Sequence, residues 1–559
     1  MKSLTKFLLL LMLVIVPFSF LSAQSPEKKG YEAITVDAVK GQLEFLASEW
    51  MEGRNTGSKG IFLSADYIAS MFKVYGLKPA GDMKAPDFRG YRRGSPRPTP
   101  QKSYFQNIPM VKTTPGDVQE FAVITQAGKG AQAVSFNYET DFSVQAGEVG
   151  TEFTAPVVFV GYGLVNEEKG YNDYDGIDVK GKVIVKIAGF PGHKDTSSPA
   201  YEKFKPETPQ GGNTRMTRNR RGGGGGGNAN EAGALGVITI NPNSNPTLGW
   251  TKNVYPERYK DRSGYEGDVP MEPSYRLSIP GETIRAGAAR ITLTMRAANE
   301  ILRNSGLDLE AWEKDVAEKI KGNPMDLAGK YIKMKTTVKS EMVKTRNVVG
   351  MIEGEDPSKI VVVGAHYDHL GKRSGYIYDG ADDNGSGTVG VMTIARACAA
   401  TGKKPKYTIV FAAWTGEEKG LLGSRYYATH PPVPIKDVLF NLNMDMISRS
   451  IATDTAKVMC GVQFTNAYPM LQTMTEDVNK QYKLGLKLNF RGSEVPSGGS
   501  DFASFARVGV PVIGLMAAMH PEYHTPKDEL GLIEWDKMTN IIRFAYVDVW
   551  RIANGALKK

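Results

Sequence analysis

Cysteine is nearly absent from this chain. Of 559 residues only Cys398 and Cys460 carry a thiol, so a disulfide scaffold is excluded and stability must come from packed cores. Cys398 lies in an apolar helical run and Cys460 in a strand-like one, which predicts two buried free thiols. Long apolar runs are also scarce, with one segment, Phe7 to Phe20, of membrane interest. A concentrated block of one charge is missing too: the net +9 is spread along the chain. No basic face with interleaved aromatics is present, which excludes the nucleic-acid-binding class. Histidine is rare, at six residues.

The length implies two or three domains, and 41% apolar with 23% charged residues is an ordinary soluble composition. At the N-terminus Lys2 and Lys6 precede the apolar run, and Leu21-Ser22-Ala23 follow it. That layout predicts a secretory signal peptide over 1–23. The run is short for a bilayer span, and the chain turns polar at Gln24. No cysteine follows to carry a lipid. The expectation is an exported chain, periplasmic or extracellular, without stable membrane insertion after cleavage.

Apolar residues recur at three and four in "VDAVKGQLEFLAS" and "GIFLSADYIASMFKVYGL". They predict helices in an N-terminal helical part, residues 24–149. Residues 83–104 form a basic loop rich in proline and glycine. Between about 150 and 300, "APVVFVGYG", "GKVIVKIAG" and "LGVITINP" are short β-branched runs bounded by Gly, Asp and Pro, which predict a small β-rich domain. It carries an insert at 201–228 in which Arg215, Arg218, Arg220 and Arg221 precede the glycines 222–227. Such a tract reads as a surface loop. The remainder, 301–559, changes near 340 to "NVVGMIEG", "KIVVVGAH", "KYTIVFAAW" and "VLFNLNMD", continuous apolar strands of a sheet covered on both faces. Helical runs, "GTVGVMTIARACAATG" and a long C-terminal one, accompany them. The fold class is therefore α/β, with a mixed, largely parallel central sheet flanked by helices.

Ligands in such folds bind beyond the carboxyl ends of the strands. There the sequence places His366 with Asp368; Asp382 and Asp383; Glu417 and Glu418; Asp445; and His520 followed by Tyr523 and His524. Carboxylates gathered at one sheet edge without a counter-ion are costly. Mixed imidazole and carboxylate donors without thiolate suit catalytic zinc.

The strings "GAHYDH", "GADDNGSG", "TGEEKGLLGS", "NMDM" and "YHTPKDEL" occur in this order. Together they resemble the M28 family of co-catalytic zinc peptidases. The 150–300 region resembles the protease-associated domain often inserted in that family. "LEFLASEWMEGRNTGSKG" resembles its N-terminal start. The resemblance implies two Zn2+ ions, with His366 and Asp445 as ligands of one and Glu418 and His524 of the other. Asp383 is then the bridging ligand. It implies Glu417 as general base, Asp368 as the carboxylate orienting His366, and Tyr523 as a donor to the tetrahedral intermediate. It also implies a cis peptide between Asp383 and Asn384. The chain departs from the family pattern at "GGSDF", where Phe502 replaces a frequent histidine. Peptides are the expected substrates and aminopeptidase the leading activity. A carboxypeptidase would need a cation for the substrate carboxylate, for which Arg449 and Arg491 are candidates. A glutaminyl cyclase or an inactive binding protein is a more distant alternative.

Overall fold

The computed structural model describes residues 24–89, 92, 95–144, 150–205, 231–240, 275–282, 288–373 and 376–557. The signal segment 1–23 and residues 206–228 of the arginine- and glycine-rich insert lie outside the described residues.

The N-terminal helices form where periodicity places them. Val36–Leu46 starts at Thr35, whose side chain accepts from the Ala38 N–H, and Lys59–Val74 starts at Ser58, which accepts from the Ile61 N–H. These caps satisfy donors the first turn leaves orphaned. Val39, Leu43 and Leu46 bury one face of the first helix.

Three parallel pairings make the heart of the sheet. Asp356–His366 lies between Tyr407–Trp414 and Val438–Met444, and Val512–Met516 continues beside Val438–Met444. All four strands therefore deliver their carboxyl ends to one edge. Met459–Thr465 pairs antiparallel with Val512–Met516, and Lys487–Ser493 closes that side. Tyr407–Trp414 is buried throughout, as its unbroken apolar run requires. Helices Gly387–Ala400 and Trp535–Ala553 cover one face together with the N-terminal helices, forming the main core. Phe502, Phe505, Trp414 and Tyr427 pack in a second core with Val362 and Val512.

At its other end the sheet runs on into the β-rich lobe. Phe105–Ala127 and Met325–Ile352 form an antiparallel ribbon from Phe105↔Val348 to Thr125↔Lys330, and Thr151–Phe159 pairs with the far part of it. Val183–Ile187, Gly236–Ile240 and Ala289–Leu293 follow in parallel. The residues 105–144, expected in a helical part, are thus largely extended. The lobe's core draws on Phe121, Phe136 and Phe142 before residue 150 and on Trp312, Val316 and Ile332 after 300, so the lobe is wider than the 150–300 segment. Both cysteines are buried and free. No described helix is long and apolar enough to cross a membrane.

Candidate metal centre

Each strand end turns a polar side chain into one crevice. His366 is the last residue of its strand. Asp445 follows the strand Val438–Met444. Glu417 and Glu418 sit on the turn after Tyr407–Trp414, opened by Gly416 at φ 71°. Asp383 lies in the turn that precedes helix Gly387–Ala400, and the Asp383–Asn384 peptide is cis. His524, at φ 56°, comes from the loop after Val512–Met516.

The six residues converge into two groups that share Asp383. His366 Nε2 stands 3.5 Å from Asp383 Oδ1, 3.4 Å from Asp445 Oδ1 and 3.9 Å from Glu417 Oε2. On the other side, His524 Nε2 is 3.1 Å from Asp383 Oδ2 and 3.2 Å from Glu418 Oε2. Asp383 therefore turns one oxygen to each group. Donors about 2.0–2.2 Å from a zinc ion in a tetrahedron stand about 3.3–3.6 Å apart, and these spacings are close to that edge length. His524 Nε2 and Asp445 Oδ1 are buried without a hydrogen-bond partner. A cation between the donors would satisfy both, so the residues fit metal binding.

The charges give the same answer. Burial, reinforced by the Glu418 charge, pushes Asp383 up to about 7. Burial likewise raises Glu417 well above the usual carboxylate range, with Glu418 and Asp445 adding to the effect against His366. Burial opposes ionisation of Glu418 too, but the neighbouring His369 and His524 imidazoles outweigh it and hold this acid well below its usual value. Imidazoles alone thus neutralise only part of the cluster, and divalent cations would complete the compensation.

The crevice is held from behind by groups that sequence reasoning missed. The Arg54 guanidinium is buried and donates to the carbonyls of Leu46, Tyr367, Asp379 and Gly380 at 2.6–2.9 Å. It thereby ties the loop after His366 to the loop before Asp383. Asp528 accepts the backbone N–H groups of Asp382 and Asp383 at 2.9 and 2.8 Å. Asp382, adjacent to the shared ligand, turns away to Ser448 and lies 3.4 Å from His520 Nε2. His369 Nδ1 lies 2.9 Å from Glu418 Oε1. "GRNTGSKG" and "GAHYDH" contained Arg54 and His369, but nothing local in sequence shows which distant groups they meet.

Asp368 acts differently from expectation. Its carboxylate is 3.8 Å from His366 Nδ1, while its own backbone carbonyl is nearer, at 3.1 Å. The carboxylate instead accepts from the Glu417 N–H at 3.1 Å and from Thr56 Oγ1 at 2.9 Å. It braces the Glu417–Glu418 turn because those amides project toward it. The Tyr523 ring stacks on His524 at 3.7 Å between centroids, and burial, with the Asp383 and Glu418 charges, raises its hydroxyl far above the usual value.

A small cavity opens beside Asp445, with Asn443, Gln463, Arg491, Ser500 and Phe502 among its walls. Arg449 is instead buried against Glu522, at 2.8 Å.

Residues 347–547 match peptidase family M28. A glutamate carboxypeptidase 2 homolog of Caenorhabditis elegans is 25% identical over 444 residues, covering 69% of this chain and 52% of that protein. A probable leucine aminopeptidase of Trichophyton verrucosum is 29% identical over 255 residues, covering 43% of this chain and 66% of that protein. The chain thus spans about half the length of the curated carboxypeptidase relative it matches. In fold it is similar to an aminopeptidase from Aneurinibacillus sp. strain AM-1, with a TM-score of 0.54 and 17% identity over 94% of this chain and 95% of that one.

Proposed function

We propose that this chain, whose residues 347–547 form a peptidase family M28 domain, is an exported two-zinc exopeptidase that releases single residues from peptide ends as an aminopeptidase. The observation that carries the reading is the pair of donor groups sharing Asp383. His366 and Asp445 would hold one ion, Glu418 and His524 the other, and Asp383 both. Two Zn2+ ions bound there would supply Lewis acidity for activating water and polarising the scissile carbonyl. Glu417 is the base: its Oε2 faces the first group at 3.9 Å from His366 Nε2, and its raised proton affinity suits a residue that takes a proton and returns it to the leaving amine. The Tyr523 hydroxyl, held in its protonated form, is a donor for charge developing on the substrate oxygen. A crevice rich in carboxylates favours a free α-ammonium group. The small cavity beside Asp445 adjoins the first donor group.

One observation favours a carboxypeptidase as second reading, namely that Arg491 borders that cavity. A relative described as a glutamate carboxypeptidase homolog agrees with it. A single set of peptides separates the two, with free, N-acetylated and C-amidated ends. An aminopeptidase cleaves free and amidated peptides, spares acetylated ones, and loses activity to a chelator until zinc is restored. Sparing of amidated peptides would reverse the assignment, and indifference to chelation would end both. Export rests on residues 1–23 and the protease-associated reading of the second lobe on resemblance. N-terminal sequencing of the exported protein should begin at Gln24.

A further inference from the structure

His369 stands inside the crevice without a role in the chemistry above. It is fully buried. Its backbone is fixed from both sides, because its N–H donates to the Arg54 carbonyl at 3.2 Å and it forms a β-bridge with Asn55. Its ring packs directly on Gly380. At that position, with φ 57°, an added Cβ would lie 2.5 Å from the His369 ring, so glycine is what admits the imidazole. Nδ1 faces Glu418 Oε1 at 2.9 Å, while Nε2 is buried without a partner. The tautomer follows from this: Nδ1, the nitrogen with an acceptor, carries the hydrogen.

Glu418 is consequently gripped through one oxygen and free to offer the other. Its Oε2 stands 3.2 Å from His524 Nε2, which is 3.1 Å from Asp383 Oδ2. His369 Nδ1 is farther from Asp383 Oδ2, at 3.8 Å. His369, Asp383 and Glu418 also lie within ligand distance of one another, but Nδ1 of His369 is engaged by Glu418 Oε1. His524 Nε2 is the imidazole nitrogen close to both Glu418 Oε2 and Asp383 Oδ2, which leaves His369 one step behind the ligands. We propose that His369 is a positioning residue for the second metal ion, donating Nδ1–H to Glu418 Oε1 and thereby fixing Oε2 as the oxygen presented to the ion. The proposal rests on the two-ion reading of the site. Outer hydrogen bonds of this kind orient a ligand and raise metal affinity, and their loss weakens binding about 10–100-fold.

The test uses the full mature chain, stripped of metal and titrated with Zn2+ against a chromophoric chelator. His369→Ala should weaken one of two binding steps about 10–100-fold and leave the other within about twofold. His369→Asn places an amide N–H near the position of Nδ1 and should recover most of the loss. The Co2+-loaded variants should keep the ligand-field bands of the parent, because the ligand set is unchanged. Band shifts at Co2+ saturation would make His369 a ligand and overturn the positioning role. Equal weakening of both steps with a matching fall in the metal-free melting temperature would reduce it to packing. Unchanged affinity in His369→Ala would also overturn it. If the unsubstituted chain fails to bind two ions, the parent reading fails first and takes this proposal with it.

Discussion

Arg54→Met removes a buried cation whose hydrogen bonds all go to carbonyl groups, and its cost can be worked from them. Arg54 is 1% exposed. Four carbonyls accept from it, and that of Gly380 also accepts from the Gly385 N–H at 3.1 Å. The carbonyls of Leu46, Tyr367 and Asp379 lose the guanidinium as donor. A buried acceptor left unsatisfied costs about 1–3 kcal/mol, so three give about 3–9 kcal/mol. Methionine recovers part of this, since it needs no desolvation of a charge. We expect a net loss of about 3–5 kcal/mol. Arg54→Lys should fall between, because an ammonium restores the charge without the planar fork that reaches separate carbonyls. Urea unfolding of the metal-free protein, followed by far-ultraviolet circular dichroism, measures the loss, and a zinc titration of the same variant reads out the loosened site. A loss under about 1 kcal/mol, or a lysine variant as weak as the methionine one, would refute the idea that carbonyl clamping is what Arg54 contributes.

Glu417→Gln should retain zinc and lose turnover, whereas His524→Ala should lose zinc. Elemental analysis beside activity checks this, and equal zinc loss in both would refute the division between base and ligand. Tyr523→Phe should lower kcat about 10²–10³-fold with KM little changed, and a change in KM alone would argue against a donor acting in the transition state. Asp548 is on the buried face of the C-terminal helix Trp535–Ala553, with Thr475 Oγ1 donating to it at 2.9 Å, and burial pushes it up to about 8. Between the unfolded value near 3.8 and that folded value, the native state holds a proton that the unfolded chain has released, so stability falls as pH rises through this window. Asp548→Asn still accepts from Thr475 and cannot ionise. Its stability advantage should therefore grow from pH 5 to pH 8, by up to about 4 kcal/mol at 1.36 kcal/mol per unit. The same gap at both pH values would overturn the account.

The strand ends were legible in sequence because the strands are. "KIVVVGAH" and "KYTIVFAAW" can only be central, and a polar residue that closes such a run must emerge at the sheet edge. Asp382 and Asp383 were separable by resemblance alone. In space they diverge, one to Ser448 and His520 and the other into the crevice. The extended residues 105–127 were hidden by Pro109, Pro115 and Gly116, which interrupt the alternation and argue against a strand. The structure accommodates them opposite Lys344 and near an irregularity between Thr336 and Val338. Arg54 and the actual contacts of Asp368 were hidden for a different reason. Apart from the Thr56 hydroxyl on Asp368, their partners are backbone groups, the Tyr367 and Asp379 carbonyls for one and the Glu417 and Glu418 amides for the other. Backbone groups leave no trace in residue identity.

The ribbon of Phe105–Ala127 and Met325–Ile352 has a consequence for how such a protein is assembled. Phe105 and Val348 face each other, so the chain leaves the central sheet and returns to it at adjacent points. Everything between them is, to that sheet, one long hairpin excursion. A lobe could be gained, enlarged or lost at this junction without rerouting any strand that carries a ligand. The same geometry brings the two ends of the interrupted domain together only after more than two hundred intervening residues have been made. The N-terminal helices and Arg54 must therefore wait through synthesis for the strands they serve, and the crevice is among the last parts of the molecule that can close.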